Sequence, residues 1–252
     1  MWKLANPTVF MGLAGRVLPW LTAVTLVLFA IGIYGSIVAP DDYQQGATVK
    51  IMFIHVPFAW LGMAGWIVMS ASAIGVLVWR HPLAEVAMKA AAPIGATFTL
   101  LCLVTGSLWG QPMWGTWWVW DARLTSVLVL FLMYLASLAL WHSIEDPGRA
   151  AKISAVLVLV GAVNIPIIKF SVEWWYTLHQ GESVFRMGGS TIDASMLWPL
   201  LVMAIAFTGL FFTLHLMAMR AEILRRRIRT MRLMAAAGVA TPPTAAPWPA
   251  EA

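Results

Sequence analysis

Six stretches of the chain, 17–39, 51–79, 90–120, 124–144, 153–168 and 197–219, contain no Asp, Glu, Lys or Arg. They are near-continuous apolar runs on the scale of the ~20 residues that carry a helix across a bilayer core. The pattern predicts an all-α fold, a polytopic integral membrane protein with six transmembrane helices. Breakers separate some of the runs closely: Arg80-His81-Pro82 and Glu145-Asp146-Pro147-Gly148 read as plain helix–helix turns. On the opposite side lie the connections 40–50, 109–123 and 169–196, the last of them long for a structureless link. Residues 2–15 read as an interfacial approach to an uncleaved first helix. After Ala221 the run EILRRRIRTMRLM can prolong the sixth helix as a basic amphipathic extension, and TPPTAAPWPAEA reads as disordered. The expected division is a membrane domain over 1–225 and a basic, then Pro/Ala-rich, tail over 226–252.

Composition sharpens this picture. Of 252 residues, 61% are hydrophobic and 11% charged, against roughly a quarter charged in soluble domains, which excludes a soluble globular protein. The net charge of +5 is therefore a topology signal, and nucleic acid is not an expected partner. Twelve basic residues fall on the side of the two termini: Lys3, Arg16, Arg80, Lys89, Arg149, Lys152 and six in the tail. Lys50, Arg123, Lys169 and Arg186 fall on the other. The excess predicts cytoplasmic termini and a periplasmic Trp-rich segment. The single cysteine, Cys102, excludes a disulfide framework and a CxxC redox pair. No P-loop, HExxH or Ser/His/Asp set is present, so the chain is not expected to be an enzyme, and any ATP-derived energy would come from a partner. No Asp, Glu, Lys or Arg lies near the middle of a span, which disfavours an ion-coupled carrier.

The candidate chemistry lies on the outer side. His81 and His142 sit at inner helix ends and His215 near one, where helix-end contacts or snorkelling account for them. His55 lies in the first turns of the second span and His179 in the long outer connection. Singly, each has an ordinary explanation: a bond from His55 to a carbonyl freed near Pro57, and exposure of His179 in its loop. Together they offer two imidazoles at similar depth, which is one way to ligate the iron of a planar complex from both faces. Between them in sequence runs WGQPMWGTWWVWDARLTS, residues 109–126. Its GQPMWG portion reads as a loop on the membrane, followed by a helix that Thr116 could cap. Trp117 and Trp120 would then share one face, and Trp114 and Trp118 another. Eight of the 15 Trp lie on the outer side; anchoring alone should load both interfaces, so the asymmetry favours a site with broad aromatic walls.

This segment resembles the tryptophan-rich WWD signature of the haem-handling superfamily. The continuation WDARLTS, with six spans and one histidine on either side, resembles the CcmC branch, over about residues 10–225. Ala122-Arg123 departs from the pattern of the larger CcmF- and CcsA-type relatives, which continue WDP and an acidic residue. The resemblance implies haem b held at the periplasmic face of the bacterial inner membrane, with His55 and His179 as axial iron ligands. It implies that Trp109, Trp114, Trp117, Trp118, Trp120, Asp121 and Arg123 belong to the segment that contacts haem and a receiving chaperone. The partners implied are the periplasmic chaperone CcmE, the small membrane protein CcmD and the ABC subunits CcmA and CcmB, in c-type cytochrome biogenesis. Lys50 and Arg123 are candidate propionate partners, with interfacial snorkelling the competing explanation for both. Asp121 is expected to orient a Trp N–H or to cap the fourth span. The rival readings are a transmembrane haem transporter and a purely structural permease subunit.

Overall fold

A computed structural model of the protein describes residues 6–181 and 183–238. It contains seven α-helices: α1 (Pro7–Val38), α2 (Met52–Trp79), α3 (Pro82–Trp114), α4 (Ala122–Ser143), α5 (Pro147–Gly161), α6 (Asn164–Trp174) and α7 (Ala194–Ala236). A 3-10 turn, Ala47–Ile51, leads into α2. With α5 and α6 counted as one span, six segments are long and apolar enough to cross a membrane. Their antiparallel order leaves two ends to the bundle. One carries His55, the Trp-rich segment and the α6–α7 connection; the other carries the α2–α3 and α4–α5 turns and the C-terminal part of α7. We call them the histidine end and the arginine end.

Lys3 and TPPTAAPWPAEA lie outside the described residues. The N-terminal reading is corrected: α1 starts at Pro7, with the Asn6 side chain accepting from Thr8 N–H at 2.8 Å. A first-turn Pro needs no partner for its missing N–H and a capping amide meets the next free donor. The expected 153–168 span is corrected too. It is α5 and α6, broken at Ala162-Val163, where Asn164 turns inward and donates to Ser126 O at 2.8 Å. Helix α7 runs through residue 225 to Ala236, carrying the basic extension as helix.

Helices pack where glycines remove side chains. A Cβ on Gly65 would stand 2.7 Å from the Tyr134 hydroxyl and 3.2 Å from Gly95 Cα, so α2 and α3 nearly touch there and Tyr134 of α4 fills the notch. Tyr134 is fully buried and donates to Gly62 O at 2.8 Å. Trp66, also fully buried, donates to Val158 O at 3.1 Å and lies in space that a Cβ on Gly161 would occupy. Trp66, Met69, Met88, Leu130 and Tyr134 thus plug the middle of the bundle. Helix α1 packs chiefly on α7, with Trp198 seated on Gly35 and Met203 on Gly32. At the arginine end, buried Glu222 bonds Lys89 at 2.8 Å and Arg226 at 3.0 Å, while Arg226 also reaches Glu85 at 2.8 Å. This ties the α7 extension to α3.

Tyr134→Phe removes one buried hydrogen bond and leaves the packing volume intact. It should cost about 1 kcal/mol, seen as a small fall in the thermal midpoint of the detergent-solubilised protein. An unchanged midpoint would mean that the Gly62 carbonyl needs only its helical partner.

Candidate functional site

The first histidine stands on α2, one turn past its start. The His55 ring is half-buried, with Nδ1 3.0 Å from Thr105 Oγ1 of α3; the carbonyl near Pro57 expected from sequence is not its partner. Gly106 makes room for it, since a Cβ there would lie 2.9 Å from His55 Cε1. Trp109, one turn further along α3, meets the ring edge-on at 5.7 Å between centroids. Its indole N–H donates to Gln45 Oε1 at 2.9 Å. Gln45 is held by the α1–α2 connection, in which Asp42 Oδ1 accepts from Gln44 and Gln45 N–H at 2.9 and 2.8 Å.

The Trp-rich segment departs from the sequence reading in three ways. GQPMWG is not a loop: α3 continues to Trp114 and closes at Gly115, whose φ of +74° is the left-handed conformation that favours glycine. Pro112 lies in the last turn, where the loss of one ladder bond is tolerated in a membrane helix. Gly110 lets the Trp114 ring fold back along the helix, for its Cβ would lie 3.0 Å from that ring. Second, Thr116 does not cap α4; it pairs with Trp118, accepting from its N–H at 3.4 Å. The cap is Asp121, whose Oδ1 accepts from Leu124 N–H at 2.8 Å, one of the two roles expected of it. Third, residues 115–121 are not helical, so the helical pairing of Trp faces does not form. Trp118 instead meets Trp120 edge-on at 5.5 Å, while Trp117 and Trp120 are 59% and 76% exposed.

The second histidine reaches the same end from the α6–α7 connection. That connection is not free: Ser183 O accepts from Thr191 N–H at 3.0 Å, Phe185 packs on Trp60, and Val184 and Ile192 join the core. His179 is only 24% exposed and meets Trp114 at 5.0 Å, so it is not an open loop residue. Its Nδ1 lies 3.7 Å from Asp121 Oδ2, too far for a hydrogen bond, and is buried without a partner; the same holds for Trp118 Nε1. Asp121 Oδ2 also accepts from Leu178 N–H at 3.2 Å, so one carboxylate starts α4 and fixes the backbone beside His179. Burial, with Arg123 adding to it, pushes the His179 pKa down to about 4 from 6.5, against the opposing pull of Asp121. The ring is neutral at physiological pH.

The remaining candidates are at this end but engaged with protein. Arg123 donates from Nε to Ser171 Oγ at 3.0 Å and from Nη2 to Lys169 O at 3.2 Å, clamping α4 to the end of α6. Lys50 bonds Ile37 O and Asp41, both at 3.2 Å. Trp174 and Trp175 form a further exposed aromatic pair. Sequence reasoning passed over Gln45, Thr105 and Gly106, which carry no motif and meet the site only through tertiary contacts. At the arginine end His81 caps α3 and His142 bonds Leu138 O. His215 does not snorkel; it is buried and bonds Ala87 O at 3.0 Å.

The family model CcmC, Heme exporter protein C, matches residues 1–234. A protein of that name from Bradyrhizobium diazoefficiens is 70% identical, the match covering 94% of this chain and 90% of the relative. Namesakes from Escherichia coli K12 and Paracoccus denitrificans are 48% and 44% identical, with 89% and 92% of this chain matched and 92% and 96% of theirs. Family match and relatives together cover nearly all of the described fold, and this chain belongs to the CcmC, or heme exporter protein C, family.

Proposed function

We propose that this protein binds haem b between His55 and His179 at the periplasmic face of the inner membrane. It presents the haem to the chaperone CcmE during c-type cytochrome biogenesis, alongside CcmD, CcmA and CcmB. The observation that carries the reading is the convergence of two neutral-capable imidazoles, each with a Trp ring at its edge, from elements distant in sequence. Among the described residues no three His, Cys, Asp or Glu side chains gather to hold a bare ion. A porphyrin supplies four equatorial nitrogens to its iron, so two imidazoles suffice. The unpartnered His179 Nδ1 and Trp118 Nε1 fit a site completed by a cargo with polar edges. Trp117 and Trp120, bare and flat, suit an acceptor protein or the macrocycle. The excess of basic residues at the arginine end supports a cytoplasmic placement for that end. The plugged bundle centre favours a carrier that holds haem at one face over a conduit through the six helices.

As for the propionates, Arg123 and Lys50 are the cations proposed to meet them, and each would have to share its present partners. ATP chemistry falls to the ABC subunits, since this chain has no P-loop.

The test is a haem titration of the purified full-length protein, followed by mixing with haem-free CcmE. Saturable binding with a six-coordinate, low-spin spectrum and subsequent transfer is expected; absence of saturable low-spin binding overturns the reading. The same titration has a pH signature. Protonated imidazole cannot ligate iron, so an ordinary histidine of pKa 6.5 would weaken binding about fourfold at pH 6. With His179 neutral down to about 4, its share of the affinity should stay flat from pH 8 to about pH 5 and fall only near pH 4. A fourfold loss already at pH 6 would show His179 to be water-exposed.

A further inference from the structure

We infer that Thr105 is a positioning residue for His55: its hydroxyl accepts the Nδ1–H of the imidazole and so keeps Nε2 as the lone pair offered to the metal. The inference rests on the haem reading above and concerns how its first ligand is prepared. A threonine hydroxyl has one proton, and here that proton is committed. Thr105 Oγ1 lies 2.6 Å from Leu101 O and 3.3 Å from Cys102 O, both acceptors only. The hydroxyl therefore meets His55 Nδ1, at 3.0 Å, with a lone pair. That lone pair calls for a proton on Nδ1, and the neutral ring carries only one.

The opposite tautomer fits poorly. Thr105 would have to give up its short bond to Leu101 and donate to Nδ1, leaving Nε2–H to find an acceptor of its own. In the Nδ1–H form the chain of bonds runs one way, from imidazole to hydroxyl to helix carbonyl. Thr105 and Gly106 are neighbours on α3, so one turn of helix supplies both the acceptor that orients the ring and the gap the ring enters. The two histidines are then backed differently. His55 leans on a neutral hydroxyl set in rigid helix, whereas His179 stands beside the Asp121 carboxylate on a connecting segment. Groups hydrogen-bonded behind a metal-binding histidine typically alter metal affinity about 10- to 100-fold.

Two measurements test the assignment. In haem-free protein labelled with 15N-histidine, the His55 resonances, identified by their loss in His55→Ala, should report Nδ1–H in the wild type and in Thr105→Ser. The Nδ1–H population should fall in Thr105→Val, which keeps the shape of the side chain and loses the hydroxyl. In haem-loaded protein, Thr105→Val should lose haem to a scavenger about tenfold faster than wild type, and Thr105→Ser should stay close to wild type. A wild-type ring protonated on Nε2, or a Thr105→Val variant with unchanged tautomer and haem-loss rate, overturns the inference. His55→Ala, run alongside, separates the two levels. If it leaves the low-spin spectrum intact, the haem-ligand reading itself fails. If it abolishes that spectrum while Thr105→Val changes nothing, only the role of Thr105 fails.

Discussion

Alanine at His55 or His179 should convert the bound haem from a six-coordinate, low-spin species to one lacking an axial ligand. Retention should fall by more than the ~10- to 100-fold that loss of a group behind a ligand costs. The two losses should differ in kind. His55 is enclosed by α2 and α3, with Thr105, Gly106 and Trp109 about it. His55→Ala therefore leaves a bounded gap that free imidazole can enter, and millimolar imidazole should restore much of the low-spin spectrum. His179 hangs from the α6–α7 connection, whose position near Asp121 is secured by Leu178 N–H, so its removal leaves a wider opening and weaker rescue. His142→Ala and His215→Ala, both at the arginine end, are the controls and should leave the spectrum as in the wild type. A wild-type spectrum and full occupancy in both histidine-end single mutants would reject the ligand assignment. Failure of His215→Ala alone would trace to its buried bond with Ala87.

Both histidines were legible in the sequence because topology alone delivers them. Uninterrupted apolar runs set the number of spans, the count of crossings puts residues 55 and 179 at one end, and the Trp asymmetry marks that end. What hydropathy does not encode is where a helix stops inside an apolar run. Gly110 to Gly115 reads as a loop because of Gly110 and Pro112, yet both serve the helix. Gly110 seats the Trp114 ring, and Pro112 falls where few ladder bonds remain to be lost. The break at Ala162-Val163 was hidden for the converse reason, as its residues are as apolar as a helix interior. Asp121 caps α4, one of its two expected roles, while its second task, holding Leu178 N–H beside His179, depends on a contact 57 residues away. Thr105 and Gly106 are of the same kind. A Thr-Gly pair in a membrane helix is unremarkable until the fold sets a histidine from 50 residues earlier against it.

Gly106 is where that hidden part of the site should show the largest effect. A valine there would place its Cβ 2.9 Å from His55 Cε1 before its two methyl groups are counted. The ring cannot retreat freely, because the hydroxyl that receives its Nδ1–H belongs to the preceding residue of the same helix. It must tilt, and a tilted imidazole no longer aims its Nε2 lone pair along the axis of a bound iron. Productive sites need their ligands held to roughly 0.5 Å, so Gly106→Val should lose haem at least about tenfold faster, with a high-spin shift matching that of His55→Ala. Gly106→Ala should lie between, as its lone methyl already stands 2.9 Å from Cε1 and makes the ring shift, while no further methyl groups add to the clash. The control is Gly12→Ala in α1, where nothing stands within 4 Å of the added Cβ; haem binding there should be unchanged. The comparison removes helix propensity as an explanation, since alanine favours both helices equally. If Gly106→Val kept a wild-type spectrum and haem-loss rate, His55 would be free to move. The rigid ligand supposed for the α2–α3 side of the site would then be wrong, even with both histidines still required.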